Sequence, residues 1–280
     1  MTDVRHLEPS EPPTDRHRVP GQGRGRIVAL VAGVLAVALA ATLVFVVLRP
    51  SDGPAGMDSS AAVMLGWGEP VHVEDFDGPL GPQWQQYDGE GHAGQGVRSP
   101  GAITVSDGVL TITGDPEGTT GGMAWDNDQK YGRWEGRVRA PASDPTYNAL
   151  LLLWPEDDDW PASGEVDFME MTDPDRQRTK MFVHFTEDGS DEGRKVEGEV
   201  FADATEWHNW AVEWTPDHIS AYLDGVEWYR ETDPVVQPPG PMHLTIQLDW
   251  LPGQGVDGSD VAESTMEVDW VRQYPYQPGS

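Results

Sequence analysis

An all-β sandwich is the fold class this sequence predicts, and three observations predict it. From about residue 70 onward, short β-prone runs follow one another, separated by Gly, Pro, Asn and Asp turn residues. No long helical period interrupts them, and no fixed-length repeat appears that would mark a solenoid or a propeller. Many strands joined by such turns bury their apolar faces as two packed sheets. The 280 residues allow one large domain or two small ones, and the even spread of strand signals favours one. There is no cysteine, so neither disulfides nor thiol chemistry take part.

Residues 1–26, rich in Pro, Gly, Arg and acids without apolar periodicity, read as a disordered tail. Residues 27–48 form an uncharged apolar run of 22, close to the roughly 20 residues that span a bilayer. Secretory signal cores are shorter, about 7–15 residues. The run is therefore read as an uncleaved transmembrane helix, with a signal cleaved after Ala38-Leu39-Ala40 as the rival. Arg16, Arg18, Arg24 and Arg26 precede it, and only Arg49 follows before Arg98. That asymmetry keeps the N-terminus cytoplasmic and exports the rest. The expected location is thus the cell membrane, single-pass, or the medium if the segment is cleaved. Residues 49–69, rich in Gly, Ser, Ala and Asp, read as a flexible linker.

The strand runs begin with 102–106 and 109–113, which alternate around Asp107-Gly108, a two-residue hairpin signal. Runs at 147–154, 165–171, 180–185, 207–214, 219–223, 242–248 and 266–274 continue the series. The formal net charge is −30, and it sits almost wholly after residue 50. Such a surface repels nucleic acid and anionic membranes. It suits an extracellular domain acting on a neutral polymer better than one gripping a polyanion.

Residues 163–171 read Ser-Gly-Glu-Val-Asp-Phe-Met-Glu-Met, and Glu165, Asp167 and Glu170 crowd six positions of an otherwise apolar strand. Alternation puts Glu165 and Asp167 on one face and Glu170 on the other. One extra residue between Asp167 and Glu170, a β-bulge, returns Glu170 to the acidic face. The outer Cα atoms then lie roughly 13 Å apart. Carboxyls leaning together approach about 5–5.5 Å, the separation of a retaining glycosidase. Salt-bridged surface acids would want basic neighbours, and none occurs between Asp144 and Pro174.

The segment Leu151-Leu-Leu-Trp-Pro155 with Trp160-Pro-Ala-Ser-Gly-Glu-Val-Asp-Phe-Met-Glu170 resembles the active-site segment of glycoside hydrolase family 16, in the bulged form of its laminarinase-like members. Tyr131-Gly-Arg-Trp-Glu-Gly-Arg-Val-Arg-Ala-Pro141, Trp207-His-Asn-Trp-Ala-Val-Glu-Trp-Thr-Pro216, Tyr222-Leu-Asp-Gly-Val226 and Glu267-Val-Asp-Trp-Val-Arg-Gln-Tyr274 follow in the family's order. The resemblance covers about residues 70–276 and narrows the fold to a concanavalin A-like jelly roll whose concave sheet holds the cleft. Residues 89–100 depart from the Asn-rich early segment common in laminarinases.

By position in the family motif, Glu165 is the expected nucleophile and Glu170 the general acid/base. One carboxyl must be ionised to attack and its partner protonated to release the leaving oxygen. Asp167 between them hinders loss of the last proton and, protonated, holds Glu165. The protons then belong to the group. His184 occupies the place of a family cleft histidine, with a structural histidine equally open. Pyranose rings stack on indoles, and of the twelve tryptophans Trp160 is the first stacking candidate, then Trp154, Trp125 and Trp250. Gln247 shares a strand face with Asp249 and is a candidate for substrate hydroxyls. The resemblance also implies one calcium ion with Asp269 as ligand. An ordinary strand-end aspartate explains that residue as well, and the chemistry itself requires no cofactor.

The expected function is a membrane-anchored, extracytoplasmic endo-β-glycanase hydrolysing O-glycosidic bonds with retention, on a polysaccharide such as β-1,3-glucan. A transglycosylase would use the same acids. A catalytically silent lectin-like module would have lost one of them.

Overall fold

The computed structural model describes residues 57–187, 192–255 and 260–278. The expected tail (1–26), the apolar run (27–48) and the first part of the linker lie outside the described residues. Among the described residues no helix is long and apolar enough to cross a membrane.

Two large antiparallel sheets carry the fold. One has the strand order Val226–Glu231, Ile219–Leu223, His208–Trp214, Gly132–Arg139, Ser264–Pro275, Val109–Gly114, Ile103–Ser106, with His72–Glu74 added beside Ser264–Pro275. The other, which carries the acidic motif, runs Gly193–Phe201, Arg178–Thr186, Glu165–Met171, Tyr147–Pro155, Met242–Trp250, Gly122–Trp125, Trp84–Gln86. Sequential hairpins alternate with pairs distant in sequence, such as Gly132–Arg139 beside Ser264–Pro275 and Tyr147–Pro155 beside Met242–Trp250, which is the crossed connectivity of a jelly roll. A small third sheet joins Gly89–Glu90, Val97–Arg98 and Thr119–Thr120. The Asp107-Gly108 turn has positive φ at both residues (53° and 76°), the primed geometry that matches strand twist.

Alternation decides what fills the space between the sheets. Leu151 and Leu153, Val166 and Phe168, Met181 and Val183, and Leu244, Ile246 and Leu248 all enter one core with Trp134, Trp210 and Trp214. Full burial of each such aliphatic side chain contributes roughly 1.5–3 kcal/mol. With no disulfide available, this core holds the sandwich together.

The linker expectation needs correction over its described part. Residues 61–65 form a short helix capped by Ser60, and Ala61, Ala62 and Trp67 are buried. They form a second apolar cluster with Ala211, Tyr222 and Tyr274 on the outer face of the first sheet. Trp67 meets both tyrosine rings edge-on, at 5.8 and 5.6 Å. Glycine and serine content read as flexibility, whereas the apolar residues among them, Trp67 above all, dock the segment.

Candidate active site

The strand Glu165–Met171 shifts register between Asp167 and Glu170: Asp167 pairs with Phe182 while Glu170 pairs with Lys180, so three steps on one strand face two on the other. The opposite neighbour shows the same extra residue, Leu152 facing Asp167 and Leu151 facing Met169. Phe168 and Met169 are consecutive, yet both enter the core. This bulge turns Glu165, Asp167 and Glu170 to the same face. Arg176 fixes the strand's far end. Buried and in left-handed backbone (φ 58°), it donates to the Met171 carbonyl at 2.5 Å and the Tyr147 carbonyl at 3.1 Å.

Each outer glutamate accepts one specific hydrogen bond. Trp160 Nε1 donates to Glu165 Oε2 at 2.8 Å, and Asn148 Nδ2 donates to Glu170 Oε1 at 2.8 Å. His184 lies opposite Glu165 in register, and its Nε2 is 3.3 Å from Asp167 Oδ2. Burial lowers the His184 pKa, which disfavours the charged ring at this contact. Ligand atoms of Glu165, Asp167 and His184 converge within 4.8 Å of one another.

Electrostatics follow from burial. Desolvation first, then the charge of Asp167, pushes Glu165 up to about 9. Burial, then the charge of Glu170, raises Asp167 as well. Glu165 and Asp167 are hydrogen-bonded to one another, so a proton between the two contacting carboxyls belongs to the pair. Glu170 is raised by burial, partly offset by the Asn148 bond, and raised further by Asp249. Asp249 is itself buried, yet the His92 hydrogen bond and the Arg98 guanidinium at 2.7 Å hold it below its ordinary value. It therefore remains a fixed negative charge beside Glu170.

The remaining sequence candidates divide. Trp160, 48% exposed, stands beside Glu165 with its ring 6.1 Å from that of His184. Trp154 is half-buried, alternates to the acidic face and donates to Asp158 at 2.7 Å. Gln247 lies in the sheet floor between Leu150 and Gly122. Two stacking candidates are corrected. Trp125 is 2% exposed and stacked in the core on Trp84, with centroids 5.2 Å apart. Trp250 alternates away from Gln247 and Asp249 and packs against the core, its ring so close to Gly96 and Gly118 that a Cβ on either would collide with it.

Asp269, the expected calcium ligand, is the residue bulged out between Val268 and Trp270. Its carboxylate is ion-paired with Arg137, and Arg139 pairs with Glu267 at 2.6 Å alongside. Both guanidiniums lie over Trp207, at 5.0 and 4.8 Å. Two positive groups and a committed carboxylate do not fit a dication, so the calcium expectation at Asp269 fails on its donor set.

Sequence reasoning missed Asn148, Tyr87, His92, Arg98 and Asp249's role as their anchor. Arg98 and His92 come from residues 89–100, the segment that departs from laminarinases, and both reach Asp249. Arg98 also covers the Tyr87 ring at 5.2 Å. Gly122 lets Tyr87 lie against Gln247, since a Cβ there would meet the Tyr87 ring at 2.8 Å.

A two-sheet jelly roll with three carboxylates, one buried and two half-buried, turned to one face by a bulge defines a narrow class of protein. The model of glycosyl hydrolases family 16 matches residues 93–273, and the chain belongs to that family. It is 30% identical over 172 residues to glucan endo-1,3-beta-glucosidase A1 of Niallia circulans, a match covering 53% of this chain and 25% of that protein. It is 30% identical over 181 residues to a beta-glucanase of Rhodothermus marinus, covering 56% and 60% respectively. The match thus spans a quarter of the first relative's length and less than two thirds of the second's. The crystal structure of LamAcat from Zobellia galactanivorans superposes with a TM-score of 0.67 at 20% identity, over 75% of this chain and 99% of that one. The laminarinase catalytic domain of Thermotoga maritima MSB8 gives 0.63 at 22% identity, over 75% and 98%.

Proposed function

We propose that this protein is an endo-acting β-glycosidase that cleaves a β-1,3-linked glucan with retention of configuration. The observation that carries the reading is the bulge that places Glu165 and Glu170 on one face with Asp167 between them. Relatives named for β-glucan hydrolysis support the substrate class.

Glu165 attacks the anomeric carbon. The proton shared with Asp167 belongs on Asp167 in the reactive state, because Glu165 accepts from Trp160 whereas Asp167 Oδ1 is buried without a donor. A protonated Asp167 then donates to Glu165 and fixes its rotamer. Glu170, whose protonated form is favoured by burial and by Asp249, gives its proton to the leaving oxygen. It then takes one from the water that opens the glycosyl-enzyme. Exposed Trp160 offers its ring to the sugar at that point.

Proton NMR of the first turnovers should show the β-anomer, and Glu165→Gln and Glu170→Gln should each lower turnover by several orders of magnitude without unfolding the protein. Initial release of the α-anomer, or full activity of Glu165→Gln, would overturn the assignment. The same proposal includes export and anchoring through residues 27–48. Burial of an apolar 22-mer is not screened by salt, so the protein should stay with membranes through carbonate washing. A soluble form starting near Ala41 would show cleavage instead.

A further inference from the structure

The chain has three lysines, and two of them stand together on the acidic face of the second sheet. Lys130 donates to the Pro239 carbonyl elsewhere. Lys180 and Lys195 instead hold their ammonium groups over one ring, that of Phe182, at 5.4 and 4.0 Å from its centre. Phe182 is opposite Asp167 in register, Lys180 is opposite Glu170, and Lys195 is opposite His184. The Phe182 and His184 ring centres are 6.2 Å apart. The ammonium groups therefore flank the site immediately next to the three acids, on the side of the edge strand Gly193–Phe201.

Among the described residues their charge is shared with the Phe182 ring and one carboxylate. That carboxylate is Glu197, whose Oε2 lies 3.9 Å from each, beyond hydrogen-bond reach and on a side chain 54% exposed. One carboxylate between two ammonium groups leaves the pair with a surplus positive charge of its own beside the catalytic acids, in a chain of net charge −30. Two cations converging on one aromatic platform exceed what a neutral sugar hydroxyl needs and suit an anion, which can take a direct hydrogen bond from each lysine in place of the loose Glu197 contact.

We infer that Lys180 and Lys195 form a subsite for an anionic substituent, a carboxylate or a sulfate, on the sugar bound beside the scissile bond toward the edge strand. The inference rests on the glycosidase reading and narrows its substrate to β-glucans carrying isolated acidic groups. A dense polyanion is disfavoured by the acidic surface at large, so the fit is to sparse substitution.

The test uses the full chain and two polymers, a β-1,3-glucan and a mixed-linkage β-1,3-1,4-glucan. Each is supplied native, sparsely oxidised at C6 to glucuronate, and sparsely sulfated. Expected is a kcat/KM at least ten-fold higher on one acidic form than on its native parent, carboxylate and sulfate being told apart by which arm responds. In Lys180→Met/Lys195→Met that ratio should fall toward one, and in Lys195→Arg it should persist. Native glucan cleaved as well as both acidic forms, or a ratio unchanged in the double variant, would refute the subsite while leaving the glycosidase standing. Cleavage of no polymer in any form would remove the glycosidase reading and this inference together.

Discussion

Trp160 is half exposed, yet its indole N–H is committed to the carboxylate of Glu165. That bond favours the charged form of Glu165 and opposes the burial that raises it. Hydrogen bonds to charged groups contribute about 1.5–3 kcal/mol, and each pKa unit is worth 1.36 kcal/mol. Trp160→Phe keeps an aromatic face for the sugar and removes only the donor. The Glu165 pKa should then rise, because the charged form has lost its partner. The acidic limb of kcat/KM, which reports the free enzyme, should move upward by about one unit. An acidic limb identical to that of the parent would show that the indole N–H does not support the nucleophile.

At the scale of elements, what was legible in the sequence was whatever alternation could express. Glu165, Asp167 and Glu170 lie on one face only with an extra residue, and the register shift supplies it. Alternation also held the signal against Trp250, since Gln247 and Asp249 share a face that the next residue leaves. Trp125 follows Met123 into the core for the same reason. The edge strand Gly193–Phe201 escaped detection because nearly every residue of it is solvated, so no apolar period marks it. His92 and Arg98 were illegible because their meaning depends on Asp249, about 150 residues away, which no local pattern connects to them. The docked segment at residues 57–67 shows how composition misleads, since one tryptophan outweighs its Gly and Ser neighbours. Trp67 packs between Tyr222 and Tyr274 with the Arg133 guanidinium 5.5 Å from its ring. Replacing a buried aromatic by alanine costs about 3–5 kcal/mol. Trp67→Ala should therefore lower the urea midpoint markedly while leaving kcat/KM unchanged, because the segment lies on the sheet opposite the acids. A midpoint within error of the parent would mean the segment is not docked.

At the scale of the whole molecule, the acids set how stability varies with pH. Glu135, fully buried beneath the docked segment, accepts from the backbone N–H of Ala61 and Ala62, but desolvation prevails and pushes it up to about 7. Glu165, Asp167 and Glu170 are raised too. An acid with a raised folded pKa contributes stability that is complete below its unfolded value and is lost as pH rises through the folded value. For Glu135 the window runs from 4.5 to about 7, a loss of about 3 kcal/mol. For Glu165 it extends to about 9. Asp144, Asp203, Glu213 and Asp249 are lowered and act oppositely, losing their contribution only as pH falls below the ordinary carboxylate range. Self-repulsion of a chain at −30 adds to the alkaline loss. The thermal midpoint should thus peak on the acid side, near pH 5, and decline toward pH 9. Glu135→Gln keeps an acceptor for one of the two N–H groups and cannot ionise. It should match the parent near pH 4.5 and exceed it above pH 7, with the gap opening between those values. A parent midpoint that climbs from pH 5 to 8, or a Glu135→Gln curve parallel to it throughout, would show that Glu135 is not the buried, raised acid described.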